Sequence, residues 1–472
     1  KNYKRINKQN MKKAIVIGGG VTGLSVAWKL SEKGYEVKVI EMDKFIGGLA
    51  RSIKMGNYFF DIGPHAFTTK DEEVFKKVMD LFKGEPGEML YTKRTVKMMF
   101  RGKYVDYPLS VKVLFQMGII PAIMCSLSFT KSKIRTSIYS LLGKETQNQN
   151  LTIKQWAIDS FGKYLYLNFF KPYTEQFWKI ETSELSHRVI PSSTRTDFAK
   201  ALKHALKNKY LGLSKREPGE LSLVERESMP RYYPKKGFGE IANRIAKQIK
   251  SNGGEIYTSQ EVDKIILNSE NSFDVKTKDK TFSGDFVIST IPINNIASKI
   301  YPVLEENIIK SAKKLEYLSL VLLYLITKKQ NILGCLNCYF LDKPYNRISE
   351  MNFFSKSLSP QDENILAVEI SCHYGSKMWK TSDEEIFSKC MQGLEKDNFL
   401  KKADVINYKV IKVPSVYPIY RKDYEIHLRE TEKYFAKIKN FYSIGRQGQF
   451  YYGDIDQMIR VGFDAADKII RD

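Results

Sequence analysis

Histidine and cysteine are both scarce, with five of each in 472 residues. The cysteines (Cys125, Cys335, Cys338, Cys372, Cys390) are odd in number and scattered. That excludes a disulfide-stapled scaffold and points to a reducing, cytoplasmic compartment. Cys335 and Cys338 have redox or zinc spacing, but no second pair or histidine cluster accompanies them, so they read as structural and no metal is expected. Acidic residues are in deficit as well, 53 against 76 basic ones, for a net charge of +23. Such a field favours anionic ligands or surfaces. A nucleotide-linked substrate, a membrane surface and a merely lysine-rich background all fit it. Nucleic acid is not expected, because no helix-turn-helix, zinc module or aromatic-basic repeat is present.

A long apolar run is also missing. The nearest approach is 113–130, 18 residues without a charge, which by length alone is a membrane-span candidate. Gln116, Gly118, Pro121, Ser126 and Ser128 interrupt it, so the segment reads as two short helices broken at Pro121. They are expected to be buried or substrate-lining, with a monotopic membrane patch as the alternative. No secretory leader is expected, and residues 1–10, ahead of Met11, read as an expression leader or a loose arm. Lys200, Lys203, Lys207, Lys209, Lys215 and Arg216 read as a solvated face.

What is present starts with 43% hydrophobic residues, enough for a large core and two or three domains. The apolar run 14–17 ends in Gly18-Gly19-Gly20-Val21-Thr22-Gly23, and Leu24, Ala27 and Leu30 follow at helical spacing. This is a buried strand, a tight turn and a helix, with Gly18, Gly20 and Gly23 at the positions of G-x-G-x-x-G. The first glycine allows the turn, the second lets a pyrophosphate approach the backbone, and the third lets helix pack on strand. A second strand, 37–40, ends at Glu41, where a carboxylate would accept hydrogen bonds from ribose hydroxyls. The fold class that follows is α/β, built on a dinucleotide-binding domain.

Further along, the spacing predicts a helix around Val74, Val78 and Leu81, and a hairpin from 98–100 to 104–105. Residues 150–220 read as helical and polar-aromatic, 232–239 as a loop, and 241–249 as a helix. Strands are expected at 255–258, 264–267, 272–275 and 285–291, the last returning the chain to the dinucleotide domain. Long β-rich segments at 317–327 and 365–372 suggest a substrate-domain sheet, and a strand at 441–445 and a helix at 456–470 close the chain. The dinucleotide-binding domain is therefore expected to be discontinuous (11–70, 230–300 and 430–472), with a mainly helical insertion (71–229) and a β-rich substrate domain (301–429).

Just past Glu41, Gly47-Gly48-Leu49-Ala50-Arg51-Ser52 supplies a second glycine pair that nicotinamide folds do not need. It resembles the extension that lies along FAD in flavoproteins of the amine oxidase and sugar-mutase superfamily. Gly63-Pro64-His65-Ala66-Phe67-Thr68 resembles the G-x-H-x-F-x-T of UDP-galactopyranose mutases, whose histidine borders the flavin ring. Four more segments resemble that family. They are 170–178 with Tyr173 and Trp178, 344–350 with Tyr345 and Arg347, Tyr417-Pro418, and Gly445-Arg446 followed by Tyr452, Asp454 and Asp456.

The resemblance implies a flavin-dependent pyranose–furanose mutase with FAD active in its reduced form. Reduced-flavin N5 would attack the anomeric carbon of a UDP-, dTDP- or CDP-hexose or deoxyhexose, with no net redox change. NAD(P)H would serve only as external reductant, and the product would serve surface glycans such as O-antigen. Tyr173 and Trp178 would hold the base, and Arg347 would grip the pyrophosphate, with either Arg188 or Arg195 as its partner. Tyr345 and Tyr417 would touch substrate, and His65, Arg446 and Tyr452 would meet flavin and sugar. Gly63, Leu49, Arg51, Asp454 and Asp456 complete the expected FAD contacts. The expected partners are a small nucleotide sugar and, in a homodimer, a second copy of the chain. Pro172 and Phe177 depart from the family's glycine and glutamine, and both flank the base slot, so base and sugar stay open. The rival readings are an FAD-dependent oxidoreductase of the amine oxidase or protoporphyrinogen oxidase kind, membrane-associated through 113–130, and a non-catalytic flavin scaffold.

Overall fold

An apolar strand with no polar alternation needs cover on both faces and neighbours on both edges, and Lys13–Ile17 has them. In the computed structural model, which describes residues 11–85, 87–92, 95–107, 116, 118–141, 151–190, 229–269, 271–302 and 305–471, this strand is central in a five-stranded parallel sheet. The order is Phe441–Ser443, Phe286–Ser289, Lys13–Ile17, Glu36–Ile40, Glu255–Tyr257. Three distant parts of the chain thus build one parallel sheet. Helix Val21–Glu32 covers one face together with Glu240–Ser251 and Ile455–Arg471. On the other face, the core joins Ile15, Ile17 and Val287 to Val262, Ile265 and Phe273 of a four-stranded sheet.

A seven-stranded mixed sheet forms the second layer system. Its order is Val405–Pro418, Tyr317–Thr327, Asn364–His373, Arg347–Glu350, Asn337–Phe340, Val96–Phe100, Lys103–Asp106. Every residue of Tyr317–Thr327 is buried, and strand alternation explains how. Leu320, Leu322, Tyr324 and Ile326 join the dinucleotide-side core, while Val321, Leu323 and Leu325 pack with Ile386, Cys390 and Leu394 behind the sheet. The hairpin at 96–106 turns through Arg101 and Gly102, both at positive φ, and adds two strands to this sheet. All five cysteines are free and buried.

The helical layer holds Ile119–Leu141, Ile153–Phe161 and Lys171–Trp178. Three expectations are corrected here. The segment around Pro121 is not broken there, because one helix runs from Ile119 to Leu141 with Pro121 in its first turn, where the missing N–H has no intrahelical acceptor anyway. That helix is not buried as a whole either, since Ile120 is 74% and Leu127 63% exposed. Nor is 232–239 wholly loop: Arg231–Pro234 pairs antiparallel with Met89–Thr92. Among the described residues no helix is long and apolar enough to cross a membrane. The basic run at 200–216 lies outside the described residues.

Candidate functional site

The two glycine runs meet backbone to backbone. Gly47 N–H donates to the carbonyl of Gly19 (2.7 Å), and a Cβ on Gly48 would come within 3.0 Å of Gly20 Cα. Gly18 needs φ +103°, and Gly23 lies so close over the Gly18 carbonyl that no side chain fits between helix and strand. Helix Val21–Glu32 carries no side-chain N-cap and no acid in its first turn. Its free N–H groups and positive dipole end therefore face the cavity beside Val21 and Thr22. Glu41 stands at the end of its strand. Its Oε2 accepts from Gly19 N–H (2.7 Å) and its Oε1 from Asp43 N–H (2.8 Å). Burial raises its pKa against those two donors.

A single cavity of about 2510 Å³ runs from this floor to the helical layer. Gly18, Gly20, Glu41, Gly47, Gly48, Leu49 and Arg51 line one end; His65, Arg347, Tyr417, Arg446, Tyr452, Asp454 and Asp456 line the middle; Tyr173, Trp178 and Arg188 line the far end. Gly23 and Gly63 are off its wall. Gly63, at φ +81°, turns the chain so that Pro64 and His65 reach the cavity.

His65 Nε2 lies 3.1 Å from the Leu49 carbonyl and 3.0 Å from that of Ile62. Neither oxygen can donate, so Nε2 carries the proton and Nδ1 of the neutral ring is an acceptor. Burial, with the Arg446 and Arg347 charges adding to it, lowers the pKa to about 4, so the ring is neutral at physiological pH. Arg446 is held by the Val416 carbonyl (3.2 Å) and the Gly453 carbonyl (3.4 Å), between the rings of Tyr417 and Tyr452 (4.9 and 4.7 Å). Its Nη2 is buried with no acceptor, and so is Nε of Arg51. Buried donors without partners are costly, and both residues line the cavity, where phosphate or ribose oxygens would satisfy them. With the side-chain-free glycine floor, they make this end of the cavity fit FAD.

Arg347 is already engaged. Its Nη2 and Nε donate to both oxygens of Glu369 (2.7–3.1 Å), its cross-strand neighbour, and Nη1 reaches Tyr339 Oη (3.3 Å). Tyr339 in turn meets Tyr107 and Tyr173. Tyr417 contacts Phe177, Trp178 and Tyr452, and burial raises the pKa of Tyr173, Tyr417 and Tyr452, so their hydroxyls stay protonated. Beyond them Trp156, Phe161, Phe169 and Phe170 close the far end. Between the two alternatives for a second arginine, Arg188 lines the cavity and pairs with Glu425 (2.7 Å); Arg195 lies outside the described residues.

One expected contact is corrected. Tyr345 is fully buried in the core behind the sheet, its ring edge-on to Phe340, and it does not line the cavity. It belongs to the loop before strand Arg347–Glu350, so two-residue alternation does not put it beside Arg347; Asn346 lines the cavity instead. Sequence reading missed Glu369, Tyr339 and Tyr107. The only signal for Glu369 was a lone acid inside an otherwise apolar strand.

The model of flavin containing amine oxidoreductases matches residues 21–470. A 1-hydroxycarotenoid 3,4-desaturase of Flavobacterium sp. (strain P99-3) is 24% identical over 292 residues, 60% of this chain and 57% of that protein. A probable UDP-galactopyranose mutase of Klebsiella pneumoniae is 29% identical over 184 residues, 38% of this chain and 44% of that protein. The chain thus spans about half the length of these curated relatives. A crystal structure of reduced UDP-galactopyranose mutase superposes with a TM-score of 0.79 at 20% identity, covering 98% of this chain and 94% of that one, and so shares the fold.

Proposed function

Because the chain belongs to the flavin-containing amine oxidoreductase family, we propose that it holds FAD and interconverts pyranose and furanose forms of a nucleotide-diphosphate hexose. The observation that carries this reading is the single cavity whose wall holds both a glycine floor and arginines among aromatic rings. A flavoenzyme that only oxidises a small amine has no use for a base slot and a diphosphate grip. Gly18, Gly20, Glu41, Gly47, Gly48 and Arg51 would hold the dinucleotide, with the pyrophosphate on the N-terminus of helix Val21–Glu32. Reduced flavin, when bound, supplies the nucleophile for the anomeric carbon.

The chain's own groups do the rest. Tyr173 and Trp178 stack the base and keep the sugar oriented. Arg347 and Arg188 hold the diphosphate while its bond to the sugar is broken and then remade. Arg347 must share its fork with Glu369 or turn from it, and the Glu369 carboxylate keeps the guanidinium in place between turnovers. Neutral His65 offers Nδ1 as an acceptor. In the net reaction the ring oxygen at the anomeric carbon is exchanged for another hydroxyl oxygen, and nothing is oxidised. NAD(P)H is needed only to prime the cofactor.

A second reading, an FAD-dependent oxidoreductase of an apolar substrate, draws on the aromatic far wall (Trp156, Phe161, Phe169, Phe170). A substrate panel separates the two. Dithionite-reduced holoenzyme is incubated with UDP-, dTDP- and CDP-hexoses, and the pyranose signals are followed by NMR. Loss of one pyranose signal with no oxidant consumed supports the mutase. Turnover that requires stoichiometric oxygen or quinone would reverse the ranking.

A further inference from the structure

We propose that helix Ile119–Leu141 docks the protein on an anionic lipid surface, lying flat with one apolar face in the acyl boundary. The helix has two faces of opposite fate. Ala122, Cys125 and Ser132 are buried, and Ser132 Oγ donates to the Ile158 carbonyl. Opposite them, at 3.6-residue spacing, Ile120, Ile123, Leu127, Ile134, Ile138 and Leu141 stand 74, 53, 63, 57, 48 and 86% exposed. The stripe spans six turns, about 33 Å of helix. Two apolar patches, Ile120 to Leu127 and Ile134 to Leu141, joined across Thr130 and Lys131, make an exposed face on the scale of an interaction surface.

Charge selects the occupant. The 23-residue helix has no acidic residue, and Lys131, Lys133 and Arg135 are exposed on it, with Arg135 paired to Asp159 of helix Ile153–Phe161 and Lys133 Nζ donating to the Asp159 carbonyl (3.2 Å). On the helical wheel Lys131 and Arg135 border the apolar stripe. A second copy seated on the stripe would bring like charges together with no carboxylate of its own helix to meet them. A bilayer with anionic headgroups meets both needs, taking up the apolar side chains and pairing the cations. The net charge of +23 favours the same approach. A spanning role is ruled out for this helix, because one face is packed on protein and the basic cluster interrupts its apolar length. Trp156, Phe161 and Phe169, which pack beneath it against Cys125, also line the cavity, so docking would turn that wall towards the membrane. The inference does not rest on the mutase reading.

The test is flotation of the FAD-loaded full chain with vesicles of phosphatidylcholine alone or mixed with phosphatidylglycerol, beside sedimentation equilibrium without lipid. Binding to the mixed vesicles only, lost in Ile123→Glu/Leu127→Glu and weakened about tenfold or more in Lys131→Gln/Arg135→Gln, is the expected result. Flavin content and melting temperature of the stripe variants should match the parent, since Ile123 and Leu127 are exposed; Ile123→Ser/Leu127→Ser serves as the milder version. Three results would overturn the proposal. The first is no vesicle binding with an oligomer that the glutamate variants dissociate, which assigns the stripe to a second copy. The second is no binding with destabilised variants, which assigns it to another segment of this chain. The third is binding that the stripe variants leave unchanged.

Discussion

Glu369 is 2% exposed and both its oxygens are taken by Arg347, so the pair must be judged together. Removing only the arginine leaves a buried carboxylate alone, which costs about 3–5 kcal/mol. Arg347→Ala is therefore expected to lose that much in urea unfolding, and Arg347→Met/Glu369→Leu to recover most of it, while both lose turnover. Equal stability of the two variants would contradict the pairing. His65 makes a pH prediction. Its folded pKa of about 4 lies below the ordinary 6.5, so the unfolded chain binds the extra proton between those values. Its contribution is fully present above about pH 6.5 and is lost as pH falls through 4. Asp61, fully buried under Ser52, Tyr233 and the Phe238 N–H, runs the other way. Burial pushes it up to about 6, so its stabilisation is present below about pH 4 and is lost as pH rises through 6. The two offset each other over this window. His65→Asn removes one of them, and its stability should fall more steeply than the parent's from pH 4 to 6 in urea melts. Parallel profiles would mean that His65 titrates normally.

The close approach of helix Val21–Glu32 to strand Lys13–Ile17 depends on Gly23, where any side chain meets the Gly18 carbonyl. Gly23→Ala is expected to cost about 1–3 kcal/mol and to lower the flavin bound per chain, read from absorbance and the urea midpoint. Retained flavin with an unchanged midpoint would show the helix can move away freely. This element was legible because glycine spacing, an apolar run and helical periodicity all describe local geometry. The long strands at 317–327 and 364–373 were legible for the same reason, although which face of each met which core was not. Arg446 and His65 were singled out through motifs, and both line the cavity. Glu369 was hidden because a lone acid in an apolar strand says nothing about the arginine facing it from a neighbouring strand. Tyr345 was misplaced because its distance from Arg347 along the chain gives no direction once the backbone leaves the strand. Helix Ile119–Leu141 was split in error at Pro121, whose place in the first turn depends on where the helix begins.

At the scale of the molecule, three separate stretches build the parallel sheet, and two further layers, one helical and one β, close a cavity over it. That arrangement puts the glycine floor and the arginine–tyrosine end within one space, which is what a reaction between bound flavin and a bound nucleotide sugar requires. The number of product molecules formed per electron pair tests this directly. Holoenzyme reduced once with dithionite, kept free of oxygen and given the hexose nucleotide that the panel selects, is expected to form many furanose molecules while the flavin stays reduced. Product that stops at one per flavin, or that appears only as an added oxidant is consumed, would contradict the account.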